Sequence, residues 1–387
     1  MATENNNKTL NVPNLRFPEF GEEWQNVTLS DIVTRVTRKN KNNESRLPLT
    51  ISAQYGLVDQ ISFFNKVVAS ADMSNYYLIK EGEFAYNKSY SSEYPWGAIK
   101  RLDRYPQGAL SSLYICFGIN DNVDSDFLVH YFESSKWHKE VSNIAGEGAR
   151  NHGLLNIAVG DFFNTAHCIP ATIKEQQKIA ALLNLITERI ATQIKIIEKL
   201  ESLIKGLCSS LFDKNKYDSF VKLGDISEIT NGNSDVQDAS LSYSDGMYPF
   251  FDRSEDIKFL PEYLLDKEAI IYPGEGSEFY PRYYNGKFAL HQRCYAIYDI
   301  SPNFAPRYLY YFCQTQNSYF VRNAVGSTVA SLRLDTFKRL NIPNTPIEIQ
   351  KAYVQLLDKI ESKIIDNKTI LKKYEEQKRY LLSKLFI

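Results

Sequence analysis

The side chains of this chain best suited to chemistry are hydrogen-bond donors clustered with aromatics. One cluster reads Asn87-Lys88-Ser89-Tyr90, then Tyr94-Pro95-Trp96, with Lys100 and Arg101 close behind. A second lies among glycines, Gly146-Glu147-Gly148-Ala149-Arg150-Asn151-His152-Gly153. Further along, Arg253 follows the aromatic run Tyr248–Phe251, Arg282 precedes Tyr283 and Tyr284, His291-Gln292-Arg293 precedes a strand-like run, and Ser331-Leu332-Arg333 occupies the slot that the Arg150 loop holds in the first half. Arginine, lysine, asparagine and serine at loop tips can satisfy the polar edges of a ligand, and neighbouring aromatics can pack on it. Each cluster also has a plainer reading: a tyrosine-rich hairpin with a solvated lysine, a glycine-rich connecting loop, or a surface ion pair.

Bond-breaking machinery is missing from the sequence. It has no Pro-Pro, so it lacks the polar-Pro-Pro-aromatic strip with which an amino-methyltransferase holds a flipped base. No GxxxxGK[ST] cradle exists for phosphates, and no GxSxG or HExxH. Glu361-Ser362-Lys363 mimics half of a metal-dependent nuclease motif, but no Pro-Asp precedes it and it falls in a helical stretch. The five cysteines, Cys116, Cys168, Cys208, Cys294 and Cys313, form no CxxC pair, which predicts a reducing, cytoplasmic setting and no metal cage.

Composition narrows the class without choosing a partner. The chain has 387 residues, 43% hydrophobic and 24% charged, enough for two or three globular domains. No apolar run approaches a membrane span, and the polar start reads as a tail without a signal peptide. Residues 26–170 carry 14 basic and 15 acidic side chains, and residues 217–343 carry 12 and 16. Isolated DNA-binding domains are usually basic, so charge alone favours no nucleic acid.

The elements that must position these clusters are two long helices. From Lys174 to Phe212 apolar residues recur with alternating gaps of four and three: Ile179, Leu183, Ile186, Ile190, then Ile197, Leu200, Ile204, Leu207, Leu211. Gln193 fills the missing beat. This is a heptad seam, and at ~1.5 Å per residue it makes a rod of about 55 Å that needs a partner along its length. Glu348 to Phe386 supplies one, with the seam Tyr353, Leu357, Ile360, Ile364, Asn367, Leu371, Tyr374, Lys378, Leu381, Leu385. Gln193 maps onto Asn367, so antiparallel packing would set the two amides face to face and fix the register. Lys378 is read as an aliphatic stem that reaches out to solvent.

The globular stretches repeat as well. Val27-x-Leu29-x-Asp31-Ile32 is echoed by Val221-x-Leu223-x-Asp225-Ile226, Phe84-Ala85-Tyr86 by Ile270-Ile271-Tyr272, and Asp161-x-Phe163 by Asp335-x-Phe337. Ile169-Pro170 then Glu175-x-Gln177-Lys178 is echoed by Ile342-Pro343 then Glu348-x-Gln350-Lys351. Strand-like runs lie at Arg46–Ser52, Ile99–Leu102, Leu113–Phe117 and Cys294–Tyr298, with an amphipathic helix around Asp126–Lys139. The predicted fold is α+β with a pseudo-two-fold repeat: two mixed α/β domains separated by two long helices in an antiparallel coiled coil. The boundaries are an N-terminal arm at 1–25, a first domain at 26–170, a central helix at 171–216, a second domain at 217–343 and a C-terminal helix at 344–387.

This order of motifs resembles the DNA-specificity subunit family of type I restriction-modification systems. The residues that carry the resemblance are Leu15-Arg16-Phe17-Pro18-Glu19-Phe20 with Trp24, Leu29-x-Asp31-Ile32, and Ile169-Pro170 followed by Glu175-Gln176-Gln177-Lys178-Ile179, on the doubled plan. The resemblance implies two target-recognition domains, each reading one half of a split, asymmetric site in double-stranded DNA. It implies a coiled coil that sets the spacer and docks two methyltransferase subunits, with restriction-translocase subunits joining them. No catalysis or cofactor is expected in this chain; S-adenosylmethionine, ATP and Mg²⁺ would reside on the partners. Asn87, Lys88, Ser89, Tyr90, Tyr94, Trp96, Arg101, Arg150, Asn151, His152, Arg253, Arg282, Tyr283, Arg293 and Arg333 then become the candidate DNA contacts. A coiled-coil adaptor without DNA binding, and a stand-alone DNA-modifying enzyme with a cryptic site, remain as alternatives.

Overall fold

The structure, a computed structural model, describes residues 11–146 and 153–387. The chain forms two compact units, residues 1–192 with 371–387, and residues 193–370. Each long helix thus contributes one part to each unit.

The first unit runs, in chain order, through β1 (Gln25–Thr28), α1 (Leu29–Ile32), β2 (Val33–Arg35), β3 (Pro48–Ser52), β4 (Gly56–Asp59), α2 (Gln60–Phe64), β5 (Tyr77–Lys80), β6 (Phe84–Asn87), β7 (Ala98–Arg101), β8 (Gln107–Leu110), β9 (Ile115–Ile119), α3 (Ser125–Glu133), α4 (His138–Ile144), α5 (Val159–Phe163), β10 (Ala166–Ile169) and the start of α6 (Ile173–Leu211). Two four-stranded sheets result, ordered β2-β9-β6-β7 and β4-β3-β8-β5, and β1 pairs with β10. The Leu29-x-Asp31-Ile32 motif closes the turn into α1: the Asp31 carboxylate accepts from the Thr28 amide and hydroxyl, both at 2.7 Å, while Leu29 and Ile32 enter the core. The helix expected around Asp126–Lys139 is two helices. The Ser134 hydroxyl takes the Tyr131 carbonyl (2.6 Å), and Trp137 folds back to donate to the Phe132 carbonyl (3.1 Å), which ends α3 and restarts the chain as α4. The strand expected at Leu113–Phe117 begins later, at Ile115, because a turn joins the Tyr114 amide to the Ser111 carbonyl (3.1 Å).

The second unit repeats the plan with β11 (Phe220–Lys222), α7 (Leu223–Ile226), β12 (Glu228–Asn231), β13 (Tyr248–Phe251), β14 (Lys258–Leu260), β15 (Leu265–Pro273), β16 (Arg282–Leu290), β17 (Cys294–Tyr298), α8 (Pro306–Gln314), α9 (Asn317–Asn323), α10 (Leu334–Lys338), β18 (Asn341–Pro343) and the start of α11 (Ile347–Leu385). One six-stranded sheet, β12-β17-β15-β16-β13-β14, stands where the first unit has two, and β11 pairs with β18 as β1 does with β10.

Within each unit the helices pack antiparallel. Ile179, Leu183 and Ile186 near the start of α6 share a core with Leu381, Leu385 and Phe386 at the end of the chain. Cys208 and Phe212 at the end of α6 share one with Leu357 of α11. In the second unit the Gln193 amide donates to the Asn367 side-chain oxygen at 2.5 Å. Gln193 is buried, so this bond satisfies a group that would otherwise be costly in an apolar seam. Lys378, read as a solvated stem, is instead ion-paired with Glu133 of α3 at 2.8 Å. Burial opposes charge on Glu133, but bonds from His130 and Lys378 prevail and hold its pKa down at about 2.

The boundary motifs act as hooks between each domain and its helix. Gln176 accepts from the Asp124 amide (2.8 Å) and donates to the Pro170 carbonyl (3.1 Å). Gln350 accepts from the Ala305 amide (2.9 Å) and donates to the Thr345 carbonyl (2.7 Å). Gln176, and not the expected Gln177, is therefore the counterpart of Gln350. Glu175, also buried, receives Arg16 through both carboxylate oxygens (2.7 and 2.8 Å) and the Trp24 indole (3.1 Å). That clamp accounts for Arg16 and Trp24 in the arm motif, and the arm also joins the chain end, with the Leu15 amide on the Lys384 carbonyl at 3.0 Å.

Candidate nucleic-acid interface

The most built polar site lies in the second unit, where four sequence-distant segments meet. The turn between β13 and β14 is held from inside. Buried Asp252 accepts from Lys258 (2.5 Å), the Ser254 amide (2.8 Å) and the Ser254 hydroxyl (2.5 Å). Burial disfavours its charge, but the Lys258 and Ser254 bonds prevail and lower its pKa. Arg282, at the start of β16, donates to the Ser254 and Asp252 carbonyls, and its guanidinium lies 5.9 Å from the Phe251 ring centre. Arg253, between the tethered residues, is exposed and makes no side-chain bond among the described residues.

The turn 291–293 between β16 and β17 forms the opposite wall. The His291 amide donates to the Phe251 carbonyl (3.0 Å), and the Gln292 amide to that of Ser234 (3.0 Å). Arg293 bonds Glu275 at 2.5 Å, and Gln292 reaches Asp235 at 3.3 Å. Glycine is required where the segments touch: a Cβ on Gly232 would overlap the Leu290 carbonyl, and one on Gly274 that of Arg293. These walls enclose a cleft of about 500 Å³. Its lining carries three carboxylates, Asp235, Asp252 and Glu275, against Arg253, Lys258 and Arg293. Cys294 also lines it, but burial raises its thiol pKa to about 11, so it is a poor nucleophile. No group of residues able to hold a metal ion occurs among the described residues. The arrangement is suited to hydrogen-bonding recognition.

In the first unit two segments that lie far apart in sequence meet. The Tyr90 amide donates to the Gly153 carbonyl (3.1 Å) and the Leu155 amide to that of Lys88 (2.9 Å), so 87–90 runs beside 153–155. Asn87 accepts from the Ser89 amide (3.0 Å), which stiffens the segment, and Ser89 and Tyr90 are exposed. Tyr94 and Trp96 are half-buried against the domain cores, the Trp96 carbonyl accepting from Tyr86 at 2.8 Å. Arg101 is engaged internally, with Asp103 (2.6 Å), Ser125 (2.7 Å) and Asp126 (2.7 Å). Arg150, Asn151 and His152 lie outside the described residues.

Of the remaining candidates, Tyr283 bonds Glu268 and stacks under Arg307, whose guanidinium is 4.6 Å from its ring centre. Arg333 is exposed at the start of α10 and does not line the cleft. The structure thus gathers Arg253, Arg282 and Arg293 at one place. Sequence reasoning missed Asp235, Asp252 and Lys258 there. Asp252-Arg253-Ser254 carries a usable signal, since an aspartate that captures the amide two residues on makes an Asx turn.

Residues 216–376 match the family model of the type I restriction modification DNA specificity domain. Among solved structures, the chain is similar to the Type-I restriction-modification system S subunit from M. genitalium, with a TM-score of 0.62 and 15% identity over 97% of this chain and 99% of that one. It is also similar to a chain solved to explain complex assembly and conformational transition of the type I R-M system, with a TM-score of 0.56 and 15% identity over 95% and 98%. No curated protein sequence matches it. Residues 216–376 thus match the type I restriction modification DNA specificity domain, and over nearly its whole length the chain shares the fold of the S subunit it resembles.

Proposed function

We propose that this chain is the sequence-specific DNA-recognition subunit of a type I restriction-modification complex. The observation that carries the reading is the duplicated plan: two globular units on the same pair of helices, hooked to them through Gln176 and Gln350, with the DNA specificity domain recognised in the second. Each unit reads one half of a bipartite, asymmetric site in double-stranded DNA. The paired helices set the spacer, and two methyltransferase subunits dock along them. Restriction-translocase subunits complete the assembly. The chain itself performs no catalytic step; S-adenosylmethionine, ATP and Mg²⁺ act on the partners.

Near-neutral domains fit this role. Phosphate contacts supply most of the salt-dependent affinity, and partner subunits can make many of them while this chain contributes base readout. We place the complex in the cytoplasm; no helix among the described residues is long and apolar enough to cross a membrane. The test is co-expression with methyltransferase subunits and mapping of methylated bases. A bipartite motif should appear, and exchanging residues 26–170 for those of another such chain should change one half-site only. An unchanged motif after that exchange, or methylation or cleavage by the isolated chain, defeats the reading.

A further inference from the structure

We propose that Arg253 reads a guanine in the half-site of the second unit, and that Arg282 is the positioning residue that presents it. The proposal rests on the DNA-recognition reading above and assigns one base contact within it. The cations of the cleft are not equivalent. Lys258 is bonded to Asp252 and Arg293 to Glu275. Among the described residues that line the cleft, Arg253 is the one cation with no carboxylate partner.

The backbone beneath Arg253 is held on both sides. Asp252 is tied by Lys258 and Ser254, and Arg282 grips the carbonyls of Ser254 and Asp252. A free side chain on an immobilised turn is what readout requires, because less entropy is lost when it engages a base. A guanidinium offers two parallel donors that match O6 and N7 of guanine in the major groove. Arg282 itself cannot serve as the reader, being turned onto the protein's own carbonyls.

The experiment uses the methyltransferase complex assembled on the full chain, with methylation read at base resolution across a random-sequence library. Arg253→Ala should relax one G·C position of the second unit's half-site by about 5- to 100-fold and leave every other position intact. Because Arg253 is exposed and unbonded, this variant puts little folding at risk. Arg253→Lys should relax the same position. Arg282→Lys, which keeps the charge but loses the double grip, should relax that position too, and combining it with Arg253→Ala should add nothing there. Arg322→Ala, on the exposed face of α9, should leave the motif unchanged. An unaltered motif in Arg253→Ala overturns the assignment. So does an even loss of methylation at all sites, which marks a phosphate contact, or relaxation of a different position by Arg282→Lys. A wild-type complex that yields no bipartite motif overturns the DNA-recognition reading itself.

Discussion

The two units make the same strand pairings with different continuity. In the first, β5 and β6 are separate strands, as are β7 and β8, and the ladder divides into two sheets. In the second the same positions fuse into the nine-residue strands β15 and β16, and one sheet runs through. The break in the first unit lies at Glu81-Gly82-Glu83, where Gly82 has φ +82°, its amide donates to the Leu102 carbonyl at 2.9 Å and the chain turns. Attachment to the helices, by contrast, is preserved in detail: Gln176 answers to Gln350, and Asn184, bonded to His130 and Asp126, answers to Asp358, bonded to Arg307. Scaffold geometry tolerates little change in the hooks, while sheet continuity and loop tips can vary and so present two different surfaces.

The strongest test of this equivalence is the shared seam. Leu183 and Leu357 are both fully buried and occupy the same beat of the two helices. Each change to alanine should cost about 3–5 kcal/mol. Hydrogen exchange should locate the loss in the first unit for Leu183→Ala and in the second for Leu357→Ala; loss shared by both units in either variant would break the comparison.

Acid should separate the units next. Buried His167, between Tyr131 (2.9 Å) and Thr165 (2.8 Å), has its pKa lowered by desolvation to about 4. Between the ordinary value of 6.5 and about 4, the unfolded chain binds a proton that the folded unit excludes, so stability declines as pH falls through that window. The loss is on the order of 3 kcal/mol. Glu133 adds a second decline from its ordinary 4.5 toward about 2, because its folded form favours the charged state. The second unit's one histidine, His291, is half-buried in the lining of the cleft. Protection factors, which remove the intrinsic slowing of exchange at lower pH, should fall in the first unit first between pH 7 and 5, and His167→Gln should flatten that dependence.

Arg307 carries the polar attachment in the second unit, with Asp358 at 2.7 Å, Glu361, and the rings of Tyr283, Tyr310 and Tyr311. Burial works against its charge, but the bonds to Asp358 and Glu361 outweigh it and raise its pKa. Arg307→Met should cost about 2 kcal/mol, discounted for partial exposure, with increased exchange confined to α8 and its neighbours. The smallest effect is expected at the polar beat. Gln193→Leu with Asn367→Leu should change stability by only about 1 kcal/mol, because two satisfied partners are replaced together by apolar groups. It should instead loosen the choice of spacer between half-sites, read from the methylation map, and leave both half-site sequences intact.

Much of the scaffold is legible in the sequence. The helices were readable because a seam is a local periodicity, and the Gln193–Asn367 contact because the same periodicity occurs twice and has one symmetric solution. The Trp137 fold-back that splits α3 from α4 was hidden, since it depends on a hydrogen bond to a carbonyl in the preceding turn. Lys378 was misread because its partner, Glu133, lies on another element.

The same division holds at the candidate sites. Sequence alone determined the repeat, the antiparallel seam and the segments rich in donors, because these follow from residue type and spacing along the chain. Only the tertiary structure decided which donors are free. Arg101 is engaged by Asp126, Arg293 by Glu275 and Arg282 by the carbonyls of Asp252 and Ser254, while Arg253 is left open. Each of those partners lies many residues away in the chain. An arginine's availability depends on which carboxylates and carbonyls the fold brings within about 3 Å of it, and no local spacing carries that information.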